Sequence, residues 1–445
     1  MERWVVPTFA GTSSLGCMGS RVLVAGRGSE RMMDPLRNPL WVNGHRATLI
    51  EGGRALFPAM AEAIDRAQQS VQLETYIFDF AGGPLGVAEA LARAAQRGAA
   101  VRVLIDGAGS PGVPPEWQDK WQRAGVQWQV FSPLGHAGFW LPSQWRRMHR
   151  KLLVVDQHTA FCGGINMLDD WKTAGGEQMT HPRLDFAMQF EGPLVRRVAQ
   201  SMTRVWWRLL AGSHLKRAQW PSALRLARRQ WQVLRPHWSR RRSNESHTNH
   251  AHETGSPMLW VERDNVRHRT QIERMYVKAI DSAQHSVTLA HAYFVPSRRL
   301  RKALTEAAER GVVVRVLVQG QFENFMQYHA ARPIYPRLIE AGIEIHEYRA
   351  SDLHAKVAVI DGKWLTVGSS NLAPLSLLLA REANVWIEDE TLATQLEQRL
   401  LHGMHEEGQA IALGSWRLRP WRLKCGDWMA FGLMRLALVL TGKRY

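Results

Sequence analysis

The 445-residue sequence has no apolar run long enough to cross a bilayer, which takes about 20 consecutive residues. The best stretch, Trp428–Leu440, has thirteen residues and is interrupted by Arg435. A spanning helix is therefore not expected. Cysteine is scarce. Cys17, Cys162 and Cys425 share no metal-ligand spacing and are too few for a disulfide framework, which suits a reducing, cytoplasm-facing setting. Acidic residues are also in deficit, 40 against 57 Lys plus Arg. No carboxylate cluster of the kind that holds catalytic Mg²⁺ is visible, so neither a metal nor a cofactor is expected.

What the chain has in excess is positive charge and tryptophan. A net charge of +17 favours an anionic partner, either nucleic acid or an anionic lipid surface. Nineteen Trp tilt the choice toward a membrane interface. The expected partner is an anionic phospholipid membrane. Nucleic acid and an obligate protein partner are not expected.

The stretch HRKLLVVD, His149–Asp156, is followed by Gly163 and Asn166; HAKVAVID, His354–Asp361, is followed by Gly368 and Asn371. Both obey H-x-K-x4-D, with the Gly fourteen and the Asn seventeen residues after the His. With 18 His, 10 Lys and 15 Asp, one such match arises by accident in roughly one chain in seventy. Two copies with matched Gly and Asn are far rarer. The duplication reaches upstream, where AIDRAQQSVQLETYIF (Ala63–Phe78) resembles AIDSAQHSVTLAHAYF (Ala279–Phe294). A repeat of about two hundred residues is near domain size and indicates two homologous halves related by approximate two-fold symmetry.

Each half alternates helical and strand patterns. Ala59–Gln68 and Pro84–Arg97 have helical apolar spacing. Val71–Phe78, Val101–Ile105, Leu152–Val155 and Val357–Ile360 read as strands. The fold class is α/β: a mixed sheet in each half with helices on both faces. The boundaries read as a disordered extension at 1–40, a first half at 41–203, a basic Trp/Arg-rich helical insertion and linker at 204–257, a second half at 258–403, and a basic amphipathic tail at 404–445. Met32 and Met33, just before the globular pattern, offer a second reading in which the extension is an artefact of start choice. The insertion carries Trp206, Trp207, Trp220, Trp231 and Trp238. It has eleven Lys and Arg and no acid between Arg204 and Arg242, a pattern that suits a membrane surface. The tail, with Arg417, Arg419, Arg422 and Lys424 before its apolar run, suits the same interface.

If the halves bring their motifs together, one pocket holds His149 and His354, Lys151 and Lys356, Asn166 and Asn371. One neutral imidazole can attack while the other, protonated, delivers a proton to the leaving oxygen. Two ammonium groups and two amides suit an anionic phosphodiester. Gly163, Gly164 and Gly368 would let backbone approach the substrate closely. Asp185 and Glu382 open aligned strands and can orient the imidazoles. Asp106, at a strand end, is a candidate rim residue, and Glu74 and Asp79 flank another strand end. Asp156 and Asp361 complete the motifs and are grouped with the catalytic set, although their place after the strands also suits a local anchor.

These paired motifs, with LETYIF, RGAAVRVLIDGAGS and EANVWIED, resemble the phospholipase D superfamily. Within it they are most similar to bacterial cardiolipin synthases of the cardiolipin synthase B type. The resemblance covers most of 41–403. It implies a phospholipase D-like pseudo-dimer and metal-free phosphatidyl transfer through a phosphohistidine. His149 would be the nucleophile, His354 the acid/base, and Lys151, Lys356, Asn166 and Asn371 the phosphate ligands. The implied reaction joins two phosphatidylglycerol molecules with release of glycerol. Phosphatidylethanolamine could also serve as donor and free glycerol as acceptor. The implied place is the cytoplasmic face of a bacterial inner membrane, peripherally bound. The alternative within the superfamily is a phospholipase D-type hydrolase or a phosphodiester nuclease. Gln157 departs from the Gly that often follows the motif aspartate, so a changed turn is expected there.

Overall fold

The structure is a computed structural model that describes residues 41–110, 112–133, 146–173, 176–216, 255–264, 268–321, 325–373, 380–414 and 419–440. The expectations for 1–40 and for most of the insertion, including Trp220, Trp231 and Trp238, lie outside the described residues.

The first half runs β1 (Val42–Glu51), α1 (Gly52–Asp65), β2 (Ser70–Thr75), α2 (Gly83–Gln96), β3 (Ala100–Asp106), α3 (Pro115–Ala124), β4 (Gln127–Phe131), β5 (Arg147–Met148), β6 (Lys151–Val155), β7 (Thr159–Gly163), β8 (Phe186–Glu191) and α4 (Leu194–Lys216). The second runs β9 (Ser256–Arg263), α5 (Gln271–Ser282), β10 (Ser286–His291), α6 (Arg298–Glu309), β11 (Val313–Gln319), α7 (Phe325–Ala331), α8 (Tyr335–Glu340), β12 (Glu344–Tyr348), β13 (Lys356–Ile360), β14 (Trp364–Gly368), β15 (Ala380–Glu388), α9 (Glu390–His405), β16 (Gly408–Ala410) and α10 (Trp421–Leu440). Helix α4 continues through position 204, where the sequence pattern had suggested an insertion. Trp206 on it is buried and lies with Trp207 against the Arg102 guanidinium, so these two indoles pack on the body.

The strands join in one mixed sheet, ordered β16-β12-β11-β10-β13-β14-β15-β9-β1-β8-β7-β6-β2-β3-β4, with β5 attached to β15. Read outward from the β9–β1 junction, the order is the same in both directions: β1-β8-β7-β6-β2-β3-β4 matches β9-β15-β14-β13-β10-β11-β12. In the parallel sets β2-β3-β4 and β10-β11-β12, the central strands β3 and β11 are largely apolar and mostly buried. Leu56, Phe57, Met60, Ala63 and Ile64 form the buried stripe of α1 at helical spacing. Each half has its own outer core. A third, central cluster takes Leu152 and Val154 from one half, Val357 and Val359 from the other, and the inner faces of α4 and α9. That shared core holds the motif strands in fixed relation.

The hairpins after the motif strands are alike. Asp156 and Gln157 have φ of 50° and 55°; Asp361 and Gly362 have 53° and 59°. His158 N–H donates to Val155 O at 2.9 Å and Lys363 N–H to Ile360 O at 3.1 Å. Three residues join the strands in each half, and the first two take positive φ, the left-handed region that Gly enters most easily. Gln157 therefore does not change the turn; it adopts the left-handed conformation that Gly takes in the other half. The aspartate side chains fasten these turns to the sheet. Asp156 accepts the N–H groups of Gln68, Gln69 and Ser70 at 2.8, 2.8 and 2.7 Å. Asp361 accepts those of Gln284, His285 and Ser286 at 3.0, 2.7 and 2.9 Å. Both lie at the far ends of five-residue strands, about 16 Å along the chain from the motif lysines. Their grouping with the catalytic residues is corrected: they are anchors.

Helix α10 docks by one face. Ala430 and Met434 are buried in the second half's core. Asp427 is buried between the His329 ring and the Arg419 guanidinium, at 2.5 and 2.9 Å. The other face leaves Trp421, Leu423, Trp428, Met429, Leu433 and Leu436 exposed, Trp421 at 69% and Trp428 at 62%. Among the described residues no helix is long and apolar enough to cross a membrane.

Candidate active site

The segments before the two motif lysines are stitched into the opposite half. Strand β5 pairs in parallel with Ala380 and Arg381 at the start of β15, and His149 N–H donates to Arg381 O at 3.0 Å. By symmetry, Leu184 pairs with Leu353, and His354 N–H donates to Leu184 O at 2.9 Å. The next residue on each partner strand is the acid. Glu382 of the second half meets His149 Nδ1 at 3.0 Å, and Asp185 of the first half meets His354 Nδ1 at 2.5 Å. Each carboxylate thus serves the imidazole of the other half. This hydrogen bond fixes the ring and leaves Nε2 as the free nitrogen.

Both lysines lie between these pairs. Lys151 Nζ donates to His149 O at 2.9 Å, and Lys356 Nζ donates to His354 O and stands 3.9 Å from Asp185 Oδ2. Burial pulls the Lys151 ammonium down to about 7, with Glu382 opposing and Lys356 reinforcing the shift. Asn166 Oδ1 and Asn371 Oδ1 are buried without a hydrogen-bond partner, a state that calls for a ligand or a special role.

The two imidazole–carboxylate pairs are unequal. Burial raises Glu382, but His149, Lys151 and the Ser369 hydroxyl outweigh it and hold the carboxyl below its usual range. Ser369 Oγ donates to Glu382 Oε2 at 2.5 Å. His149 is itself pushed down by burial, with Lys151 and Lys356 acting in the same direction and Glu382 opposing. This imidazole is neutral near pH 7 and its Nε2 lone pair is available. At the other pair, burial pushes Asp185 up to about 7, with Lys356 and the Phe186 N–H pulling it back. Burial and the two lysine ammonium groups hold the His354 imidazolium well down. Across a 2.5 Å contact the His354–Asp185 couple holds one proton near neutrality. Gly164 stands where the second half has Ser369, and a Cβ there would strike the Asp185 carboxylate. Likewise, a Cβ on Gly163 would lie 2.5 Å from Phe186 O, and one on Gly368 would strike Asn384. The motif glycines therefore make room for strands and an acid, not for substrate as their spacing had suggested.

Several neighbours were not legible in the motifs. Arg150, between His149 and Lys151, is 2% exposed. It is held by Glu74 at 2.7 Å, Ser201 at 2.8 Å and Glu262 at 3.3 Å. Ala290 and Ala355 occupy the matching places in the second half, so this ionic support exists on one side only. Asp106 is buried and accepts Met148 N–H at 2.6 Å and Arg147 at 3.1 Å. It fixes the segment leading into His149 and is no rim residue. Tyr76 packs its ring 5.0 Å from the His149 ring. The signal that could have found Arg150 and Tyr76 is the mismatch between otherwise aligned repeats.

Residues 60–174 and 276–403 match the family of cardiolipin synthase, PLD-like domains. The chain is 38% identical over 404 residues to a cardiolipin synthase B of Salmonella typhi, covering 90% of this chain and 91% of that protein. It is 34% identical over the same length to the cardiolipin synthase B of Escherichia coli K12, with the same coverage. Among solved structures, its fold is similar to a phosphatidylserine synthase of Haemophilus influenzae, with a TM-score of 0.61, 12% identity, and coverage of 89% of this chain and 96% of that one. The duplicated motifs, the crossed acids and these likenesses together make the chain a member of the cardiolipin synthase, phospholipase D-like family.

Proposed function

We propose that the protein is a phosphatidyltransferase that makes cardiolipin from two phosphatidylglycerol molecules. The observation that carries this reading is the presence, in one site, of two crossed imidazole–carboxylate pairs with opposite proton preferences. His149 Nε2 attacks the phosphorus of the first lipid. The bond from phosphorus to the glycerol oxygen breaks, and the proton held by His354 and Asp185 passes to that oxygen. The second lipid's glycerol hydroxyl then returns a proton to His354, its oxygen attacks the phosphorus, and the P–N bond to His149 breaks. Lys151, Lys356, Asn166 and Asn371 hold the phosphoryl oxygens. Such positioned proton transfer contributes about 10²–10⁴-fold.

The enzyme acts as a peripheral protein on anionic phospholipid, at the cytoplasmic face of a bacterial inner membrane. Support comes from the exposed Trp, Met and Leu face of α10, from Arg422, Lys424 and Arg435 on the same helix, and from the net charge of +17. The test is purified protein on phosphatidylglycerol vesicles, with the products read by mass spectrometry. Cardiolipin and glycerol are expected. Phosphatidate alone would make the protein a hydrolase. In His354→Ala a phosphoryl adduct on His149 should accumulate with a donor carrying a good leaving group; an adduct on another residue would overturn the role of His149.

A further inference from the structure

Besides Arg150, the two ends of the site differ in a second large side chain. Tyr76 follows β2 directly, and Ala292 follows β10 at the aligned position. The alignment holds in the backbone. Three residues on, Asp79 N–H donates to Met167 O at 2.7 Å in the first half, and Val295 N–H to Leu372 O at 3.0 Å in the second. The Tyr76 ring lies 5.0 Å from the His149 ring, tilted by 58°, and Lys151 Nζ sits 5.5 Å from its centroid. Gly109 pins it: a Cβ there would strike the Tyr76 carbonyl and lie 2.9 Å from Cδ1. The ring is packed among the Gly109 backbone, the His149 ring and the Lys151 ammonium.

Displacement at phosphorus places the attacking and leaving atoms roughly in line on opposite sides. When His149 attacks, the departing alcohol needs room toward His354 and none beside His149. The acceptor alcohol then enters by the route the first one left. We propose that Tyr76 gives the site its direction: the ring closes the His149 side to the glycerol headgroup, and the space that Ala292 leaves by its small size receives both the departing glycerol and the incoming glycerol hydroxyl. This rests on the reading of His149 as nucleophile in phosphatidyl transfer. Tyr76 is then a positioning residue, and Ala292 sets the size of alcohol that can leave or enter.

The test compares two donors in vesicles, phosphatidylglycerol and phosphatidylmethanol, whose leaving alcohols differ in size. Ala292→Tyr should raise the phosphatidylmethanol-to-phosphatidylglycerol turnover ratio by about tenfold or more, because methanol still fits. Should that variant fail to fold, Ala292→Val must move the ratio the same way by about threefold. Tyr76→Phe keeps the wall and should leave the ratio unchanged, whatever the loss of the hydroxyl does to the rate. Tyr76→Ala admits the headgroup to the wrong side, so kcat and KM for phosphatidylglycerol should fall together through non-productive binding, with kcat/KM nearly kept. Equal loss of both donors in folded Ala292 variants, or a changed leaving-group preference in Tyr76→Ala, overturns the proposal. Failure of the wild-type protein to form cardiolipin would instead overturn the underlying reading of the function, and the donor ratios would still report the direction of the site.

Discussion

At the residue scale the proton inventory sets the pH behaviour. His149 must be neutral to attack, and its imidazolium is pushed below the ordinary value. Activity should therefore fall only as pH drops below the ordinary histidine range. The His354–Asp185 couple and the Lys151 ammonium both give up protons near 7, so activity should fall again as pH rises through that region. Asp185→Asn should lower kcat by about 10²–10⁴-fold and displace the alkaline limb, as read from a pH–rate profile on phosphatidylglycerol. A kcat near wild type together with an unmoved limb would remove Asp185 from the couple. Gln157→Gly should relieve the left-handed strain and raise stability by about 0.5–1.5 kcal/mol, seen as a higher unfolding midpoint with unchanged activity. The histidines, lysines and asparagines were legible because phosphoryl chemistry demands those side chains and the duplication fixes their spacing. Asp185 and Glu382 were legible as aligned strand-opening acids. Which imidazole each serves was not, because the crossing depends on strands that pair β5 with β15 and Leu184 with Leu353. Tyr76 escaped notice because its importance lies in what it faces, and that face is assembled from Gly109 and His149.

At the scale of elements, the short apolar runs gave the strands and the helical spacing gave α1 and α2. The junction of β1 with β9 was not legible, since nothing in either strand names its partner. Helix α10 answers two readings of the tail at once: its small and apolar inner residues pack, and its indoles stay outside. Replacing both Trp421 and Trp428 with Ser should weaken sedimentation with phosphatidylglycerol vesicles severalfold and leave thermal stability nearly intact, because both rings are exposed. Binding that survives unchanged at moderate salt would assign the membrane contact elsewhere. Loss of the Asp427 contacts to His329 and Arg419 is a different matter. Asp427→Ala would strip a buried pair and should destabilise α10 by about 3 kcal/mol or more.

For the whole molecule, the site's charge is arranged for an anion. Both carboxylates at its centre are engaged by imidazoles, and two ammonium groups stand beside them. Chelators should leave turnover unchanged on vesicles. Complete loss, restored by one divalent ion, would contradict a site built from side chains alone. The palindromic strand order explains why a repeat of two hundred residues was visible in sequence: each half had to preserve its own sheet. The ionic support under Arg150, present on one side only, shows that the copies have since drifted apart in their interiors.

The reciprocal exchange of acids has a consequence for how such an enzyme can fail. Neither lobe owns a finished base. A slight shear at the seam would loosen both rings in the same instant, leaving attack and protonation idle together. A single lobe released by proteolysis would carry a histidine without the acid that orients it.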